Sequence, residues 1–362
     1  MRPDVRVLAL VPYPLERAPG QRFRMEQWAP RLRSEGVEVE FAPLLSAADF
    51  ETLYERGRVP RKVLAVVRGY RTRLRQLESL RTFDVAYIYR EAAFLGPAWV
   101  ERLVARRCPI VFDFDDAIYL PATSAANRPA RFAKRRGKTA AICRVAQVVT
   151  VGNEVLAAFA RRHAPRVEVI PTTMDTDVYR VTVRDANPRP VVGWTGSPTT
   201  AGYLQSLAPA LRRLRERLDF ELRVIGAVVA IDGIDVTSVP WRAESEAEDL
   251  RPIDVGLMPL TDDDWARGKC AAKALQYMAL GIPPVVSPVG VNATVVRDGV
   301  NGFHAQTDAD WVGRIAELLG APALRARLGA AARRTVEEGY SAQVQVPRLA
   351  EVLRRAAGAA GP

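Results

Sequence analysis

Lys269 and Lys273 stand four residues apart in Arg267-Gly268-Lys269-Cys270-Ala271-Ala272-Lys273, a segment whose pattern predicts a helix beginning after Gly268 and stopping at Gly281-Ile282-Pro283. At that spacing two ammonium groups share one helix face at the positive end of the dipole, which is unfavourable unless an anion joins them. The chain has 47 arginines and only five lysines, so the pairing of two compact point charges beside a glycine is less expected by chance. A diphosphate is the natural guest, and a solvated helix face is the plain alternative. Asp113, Asp115 and Asp116 follow the apolar run Ile110-Val111-Phe112, at the carboxyl end of a strand. These carboxylates can hold a divalent metal, accept a hydrogen bond from an acceptor hydroxyl, or cap a turn and pair with nearby arginines. Thr195-Gly196-Ser197, with Thr199 and Thr200 behind it, closes another strand. Small residues there let backbone N–H groups approach phosphate, although an ordinary turn with a threonine cap explains the pattern nearly as well. Gly20, Arg22 and Arg24 open a helix after the first strand and are read as a ligand-facing loop or a plain turn, and Arg90 with Glu91 follows a later strand as a further candidate. Neither loop is G-x-G-x-x-G, so a nicotinamide or flavin fingerprint is missing.

The supply of other chemistry is narrow. Only His163 and His304 are present, which nearly excludes a histidine triad or a multi-histidine metal centre. Cys108, Cys143 and Cys270 are odd in number and far apart, fitting neither a disulfide framework nor a zinc site. No metal and no tightly held cofactor is expected.

The elements that must position these groups alternate. Short β-branched runs begin at Val5, Val37, Val85, Ile110, Gln147 and Val167, with helix-like stretches near 21–34, 97–107, 128–144 and 153–163 between them. This order implies a parallel sheet covered on both faces. Asp185-Ala186-Asn187-Pro188-Arg189-Pro190 reads as a linker. The alternation then restarts at Val191, Phe220, Ile253 and Pro284, and the tail is helical from 309 to 357. Two α/β halves of this kind normally bind ligands in the cleft between them, at the carboxyl ends of the strands.

The 362 residues suit two domains, and 48% hydrophobic residues suffice for real cores. No apolar run approaches the roughly 20 residues needed to cross a bilayer, and the opening Val5-Arg6-Val7-Leu8-Ala9-Leu10-Val11 is too short for a signal-peptide core. A cytoplasmic protein is expected. The net charge of +11 comes from 52 basic and 41 acidic residues, and it is uneven. Through Arg189 there are 33 basic and 21 acidic residues, a net +12; from Pro190 there are 19 and 20, a net −1. From Arg56 to Arg75 eight residues are basic and none acidic, on a helix with Val63, Val66, Val67, Tyr70, Leu74 and Leu77 along one side. Such a helix can lie on an anionic membrane surface at the inner face, or pack on the sheet with its arginines in water. Nucleic acid is not an expected partner, because the second half is near neutral and carries no recognition motif.

Residues 275–290, from Leu275-Gln276-Tyr277-Met278 to Ser287-Pro288-Val289-Gly290, resemble the donor-site helix and following strand of retaining glycosyltransferases of family 4. Asp298-Gly299-Val300-Asn301-Gly302-Phe303 is similar to that family's next turn, and Ile170-Pro171-Thr172-Thr173-Met174-Asp175 to the segment before its interdomain linker. The resemblance implies the α/β GT-B fold: two Rossmann-like domains with parallel sheets facing each other across a cleft. Residues 1–185 would bind the acceptor and 186–362 the donor, with the last helix packing back on the first domain. It implies transfer of a sugar from a UDP- or GDP-sugar to a hydroxyl acceptor, with retention and without metal. The acceptor would be a polysaccharide, a lipid-linked or anionic glycoconjugate, or a small molecule. Lys269 and Lys273 would neutralise the departing diphosphate, with Asp115 and Asp116 as further catalytic candidates. Thr195, Gly196, Ser197, Cys270, Ala271, Gln276, Val289, Gly290 and Val291 would line the donor. Gly268 and Gln276 stand where the family has two glutamates seven residues apart. That departure leaves two alternatives: a catalytically degraded binding protein on the same fold, and a nucleotide-sugar epimerase.

Overall fold

The computed structural model describes residues 4–55, 57–120, 137–182 and 187–358. Two six-stranded parallel sheets organise the chain. The first contains β1 (Val5–Val11), β2 (Val37–Pro43), β3 (Val85–Tyr89), β4 (Ile110–Phe114), β5 (Val148–Val151) and β6 (Val167–Val169), in the order β2-β1-β3-β4-β5-β6. The second contains β7 (Val191–Thr195), β8 (Glu221–Ile225), β9 (Val236–Val239), β10 (Val255–Met258), β11 (Pro284–Val286) and β12 (Phe303–His304), in the order β12-β11-β10-β7-β8-β9. Central strands such as β3, β4, β7 and β10 are buried throughout, as parallel strands covered by helices must be. The α/β class with two Rossmann-like sheets agrees with the sequence. The short strands β9 and β12 were not expected; both lie at sheet edges, and in β9 the exposed Thr237 and Ser238 give no apolar run.

The chain divides into one unit of Met1–Thr172 with Gln345–Pro362 and a second of Thr173–Val344. The division precedes the 185/186 boundary read from the prolines; Asp185 and Ala186 lie outside the described residues. Residues 173–180 join the second unit through specific bonds. Met174 N–H donates to Tyr340 O (2.9 Å), and the Tyr179 hydroxyl to Glu246 Oε2 (2.7 Å). The last helix, Ala342–Gly358, belongs to the first unit from Gln345 onward, where Arg348 donates to Val169 O (3.1 Å) and Arg355 meets Glu168 (3.1 Å).

Helices differ from expectation where turns intervene. The stretch near 21–34 is broken into Pro19–Arg24, a 3-10 turn Glu26–Trp28 and Ala29–Ser34. The stretch near 128–144 is described only from Gly137, with a helix over Lys138–Val145.

The basic helix spans Val59–Ser79, and Arg56 lies outside the described residues. Its buried face is Ala65, Gly69, Arg73 and Leu77. Val63, Val67 and Leu74 of its apolar stripe are exposed, as are Val59 and Leu64, so half of the stripe faces solvent. Arg73 is fully buried rather than solvated, donating to the carbonyls of Val11 (2.9 Å) and Ala42 (2.8 Å) at the ends of β1 and β2 and of Ala92 (2.7 Å) in the loop after β3.

Candidate functional site

The second unit gathers the expected donor residues at the carboxyl edge of its sheet. Thr195 ends β7, and its N–H donates to the Tyr277 hydroxyl (2.9 Å), which donates in turn to Leu257 O (3.4 Å) on β10. Burial raises the Tyr277 phenol well above its ordinary range, so it stays protonated and ties the two strand ends together. Gly196 N–H donates to Ile225 O (2.9 Å) at the end of β8. Ser197 and Thr200 close a turn, with Thr200 N–H on Ser197 O (2.9 Å) and Ser197 N–H on the Thr200 hydroxyl (3.2 Å). The turn after β11 carries Val289, Gly290 and Val291. Gly290 has φ +56°, and a Cβ there would lie 2.5 Å from Arg267 O, so only glycine lets this turn press against the lysine segment.

That segment is not one helix. A short helix, Asp264–Arg267, is capped by Asp263, whose Oδ1 accepts from Ala266 N–H (2.8 Å). Gly268 ends it, and a second helix runs over Ala272–Ala279. Between them Ala271 is left-handed at φ +54°, a costly conformation for a residue with a Cβ. The expected shared face is therefore corrected: Lys269 lies in the turn before the helix, and Lys273 in its first turn. Both are half-buried. The Lys273 Nζ sits 5.5 Å from the ring centroid of Trp194 and the Lys269 Nζ 5.8 Å from that of Trp265. The Thr261 hydroxyl and Ala266 N–H hold the Asp263 carboxyl below its usual range, and the Lys269 charge adds to this. Cys270 is buried with its Sγ 3.9 Å from Gly268 O, so the thiol turns towards its own backbone.

Gln276 is buried on the same helix, three residues beyond Lys273. Its amide Nε2 donates to Glu246 Oε1 (2.8 Å) and lies 3.5 Å from the Tyr179 hydroxyl. Glu246 also accepts from Tyr179 (2.7 Å) and from Trp241 Nε1 (2.7 Å). Sequence reasoning missed Glu246, Tyr179 and Trp241. Glu246 sits in the acid-rich run Glu244-Ser245-Glu246-Ala247-Glu248-Asp249, which reads as a solvated helix start. The indole and phenol that hold it come from other elements.

In the first unit the charges close on one another. Arg24, expected on a ligand-facing loop, is buried and grips Asp113 through Nε (3.0 Å) and Nη2, with Nη1 on Ile170 O (2.5 Å). Thr150 adds a hydrogen bond to Asp113 (2.6 Å). Arg90, left-handed at φ +61°, bridges Asp115 (2.9 Å from Nε) and Asp116 (2.6 Å from Nη2), while the Tyr89 hydroxyl donates to Asp115 (2.9 Å). Burial pushes the Asp115 carboxyl up, but the charges of Arg90 and Arg24 outweigh it and hold the group below its ordinary value. In the structure Asp115 is engaged by the Arg90 guanidinium and the Tyr89 hydroxyl. Gly20 packs over this pair, where a Cβ would meet the Tyr89 hydroxyl at 2.6 Å and Asp115 Oδ2 at 2.9 Å. Arg22 lies over the Phe23 ring at 4.8 Å, and Glu91 pairs with Lys138 (2.9 Å). Among the described residues no group of three or more His, Cys, Asp and Glu could hold a metal ion.

Residues 189–321, which carry all the donor-side candidates, match the family model for glycosyl transferases group 1. Among solved structures the chain is similar to sucrose-phosphate synthase from Thermosynechococcus elongatus, at 16% identity over 98% of this chain and 100% of that one, with a TM-score of 0.70. It is similar to a glycosyltransferase from Rickettsia africae ESF-5, at 12% identity over 97% and 98% of the two chains, with a TM-score of 0.68. A third, Anabaena HepE in complex with UDP and glucose, is 14% identical over 97% and 100%, with a TM-score of 0.64. No curated protein matches by sequence. The neighbours show the fold, and together with the matched model they support a group 1 glycosyltransferase.

Proposed function

We propose that the protein is a retaining glycosyltransferase of family 4. It moves a sugar from a UDP- or GDP-sugar to a hydroxyl acceptor without a metal ion. The observation that carries this reading is the placement of Lys269 and Lys273 beside the loops after β7 and β11, at the carboxyl edge of the second sheet. In the transfer the bond from the anomeric carbon to the diphosphate oxygen breaks, and its electron pair leaves with the diphosphate. The acceptor oxygen bonds the anomeric carbon on the same face, and its proton passes to the departing phosphate. The enzyme must stabilise the diphosphate more in the transition state than in the ground state. Fixed ammonium groups and the N–H groups at the start of the Ala272–Ala279 helix supply that stabilisation. No histidine base is required, which suits a chain with two histidines. Gln276, at the place of the family's ribose-binding glutamate, bonds the ribose hydroxyls. HepE in complex with UDP-glucose supports a uridine donor.

The acceptor is a glycoconjugate at an anionic membrane surface. This part rests on the Val59–Ser79 helix, whose exposed Val59, Val63, Leu64, Val67 and Leu74 stand beside exposed Arg61, Arg71 and Arg75. An apolar stripe with basic flanks suits the headgroup boundary. No helix among the described residues is long and apolar enough to cross a membrane, so the association would be peripheral. Sedimentation with vesicles decides it: anionic vesicles should retain the protein and neutral ones should not, whereas equal recovery rejects docking.

The reaction is tested by incubating the protein with a panel of UDP- and GDP-sugars and hydroxyl acceptors, with and without chelator. The expected result is nucleoside diphosphate release with an unchanged anomeric configuration, insensitive to chelator. An inverted product, or activity lost with the metal, contradicts the mechanism. Binding of nucleoside diphosphate without transfer or hydrolysis would favour the binding protein.

A further inference from the structure

The node around Glu246 is an unusual use of a buried acid. Glu246 is 2% exposed and three donors converge on it: the Tyr179 hydroxyl, the Trp241 indole N–H and the Gln276 amide. An ionised carboxylate accepts hydrogen bonds and cannot donate them. The atom of Gln276 that faces it is therefore the amide nitrogen, whatever else the side chain might prefer. Both amide hydrogens have acceptors on that side, in Glu246 Oε1 and the Tyr179 hydroxyl oxygen. The carbonyl Oε1 is turned away and has no hydrogen-bond partner among the described residues.

We propose that Glu246 is a positioning residue that locks the Gln276 amide so that its oxygen alone is offered to the nucleotide ribose. A free glutamine presents donor and acceptor interchangeably, whereas a locked one is a pure acceptor and reproduces what a glutamate at position 276 would offer. The charge missing from position 276 is thus held one layer deeper, on the Glu246–Leu250 helix. Three donors offset part of the cost of burying its carboxylate. Ribose recognition in this chain is then a property of the Glu246–Gln276 pair rather than of one residue. The proposal rests on the reading of Gln276 as the ribose contact.

The test compares affinity for UDP with that for its 2′-deoxy and 3′-deoxy analogues, by calorimetry, in wild type, Gln276→Ala, Glu246→Gln and the exchanged pair Glu246→Gln with Gln276→Glu. Thermal unfolding checks that each variant is folded. In wild type one deoxy analogue should bind about tenfold more weakly, the worth of one good hydrogen bond. Gln276→Ala should abolish that preference. Glu246→Gln, nearly isosteric, removes the pure acceptor and lets the Gln276 amide turn over, so the preference should fall to about twofold or less. The exchanged pair should restore it, because a carboxylate at 276 accepts in either orientation. A merely structural role for Glu246 would weaken UDP and its deoxy analogues equally, leaving the ratio at its wild-type value, and that result overturns the proposal. Should Glu246→Gln not fold, a folded exchanged pair without ribose preference overturns it, provided Gln276→Ala has lost the preference. If wild type shows no preference, or Gln276→Ala keeps it, the ribose reading of Gln276 itself has failed, and this proposal falls with it. UDP transfer chemistry can still stand in that case, which separates the two failures.

Discussion

At the carboxyl end of β4 in the first unit, Arg24 and Arg90 close onto carboxylates, whereas beyond β10 in the second unit Lys273 and Lys269 hold their ammonium groups over the rings of Trp194 and Trp265. The difference is physical. A carboxylate in contact neutralises a guanidinium and removes most of its reach. An aromatic face attracts a cation by about 0.5–1 kcal/mol at such sites but carries no net charge of its own. The first unit therefore uses these cations to fix loops, whereas the proposed function gives the two lysines of the second a diphosphate to bind. The excess charge of the amino-terminal half, which draws attention in the sequence, is in good part committed: Arg73 to carbonyls, Arg24 to Asp113, Arg68 to Asp49. The near-neutral half holds the pair to which the proposed function assigns the diphosphate.

This contrast can be broken by substitution. Arg24→Ala leaves Asp113 buried and uncompensated, and should destabilise the first unit by about 3–5 kcal/mol, seen as a large fall in denaturation midpoint. A variant of normal stability would contradict the structural role of that pair. Lys273→Ala should leave the midpoint nearly unchanged yet lower turnover by the equivalent of about 2.7–4 kcal/mol, with Lys269→Ala at least tenfold down. Loss of fold in either, or near-normal rates in both, would erase the contrast. A third probe is acid. The Asp115 carboxyl is depressed by its arginines, so the stability it contributes is fully present above its unfolded value near 3.8 and is lost as pH falls through the lower folded value. Stability measured from pH 5 down to 2 should fall more steeply in wild type than in Arg90→Ala; equal slopes would remove Arg90 as the cause. The smallest expected effect is at Ala271. Replacing it by glycine relieves φ +54° and should raise stability by about 1 kcal/mol, and a fall in midpoint would show that the strain assignment is mistaken.

Much of the fold was legible because parallel strands buried on both faces are written as continuous runs such as Val85-Ala86-Tyr87-Ile88-Tyr89. In the lysine segment the stop at Gly281 was legible, and the helix over Ala272–Ala279 ends where Gly281-Ile282-Pro283 reads as a stop. What stayed hidden depended on partners far away in sequence. Arg24 reads as a surface cation until Asp113 and Ile170 are brought to it. The Val59–Ser79 helix has an obvious apolar stripe, but the core takes the Ala65-Gly69 side, because small residues permit the close approach that lets Arg73 reach three backbone carbonyls. The break at Ala271 could not be read either, since nothing in an alanine announces a left-handed turn.

The most direct test concerns the two lysines as an anion site. Thermal unfolding of wild type and of the double variant Lys269→Ala with Lys273→Ala should be followed with and without UDP or GDP. A ligand at one hundred times its dissociation constant stabilises by about 2.7 kcal/mol, well above the resolution of the method. The expected outcome is a clear upward shift in wild type and almost none in the double variant, whose midpoint without nucleotide is unchanged. An equal shift in both proteins would mean that the diphosphate is held elsewhere.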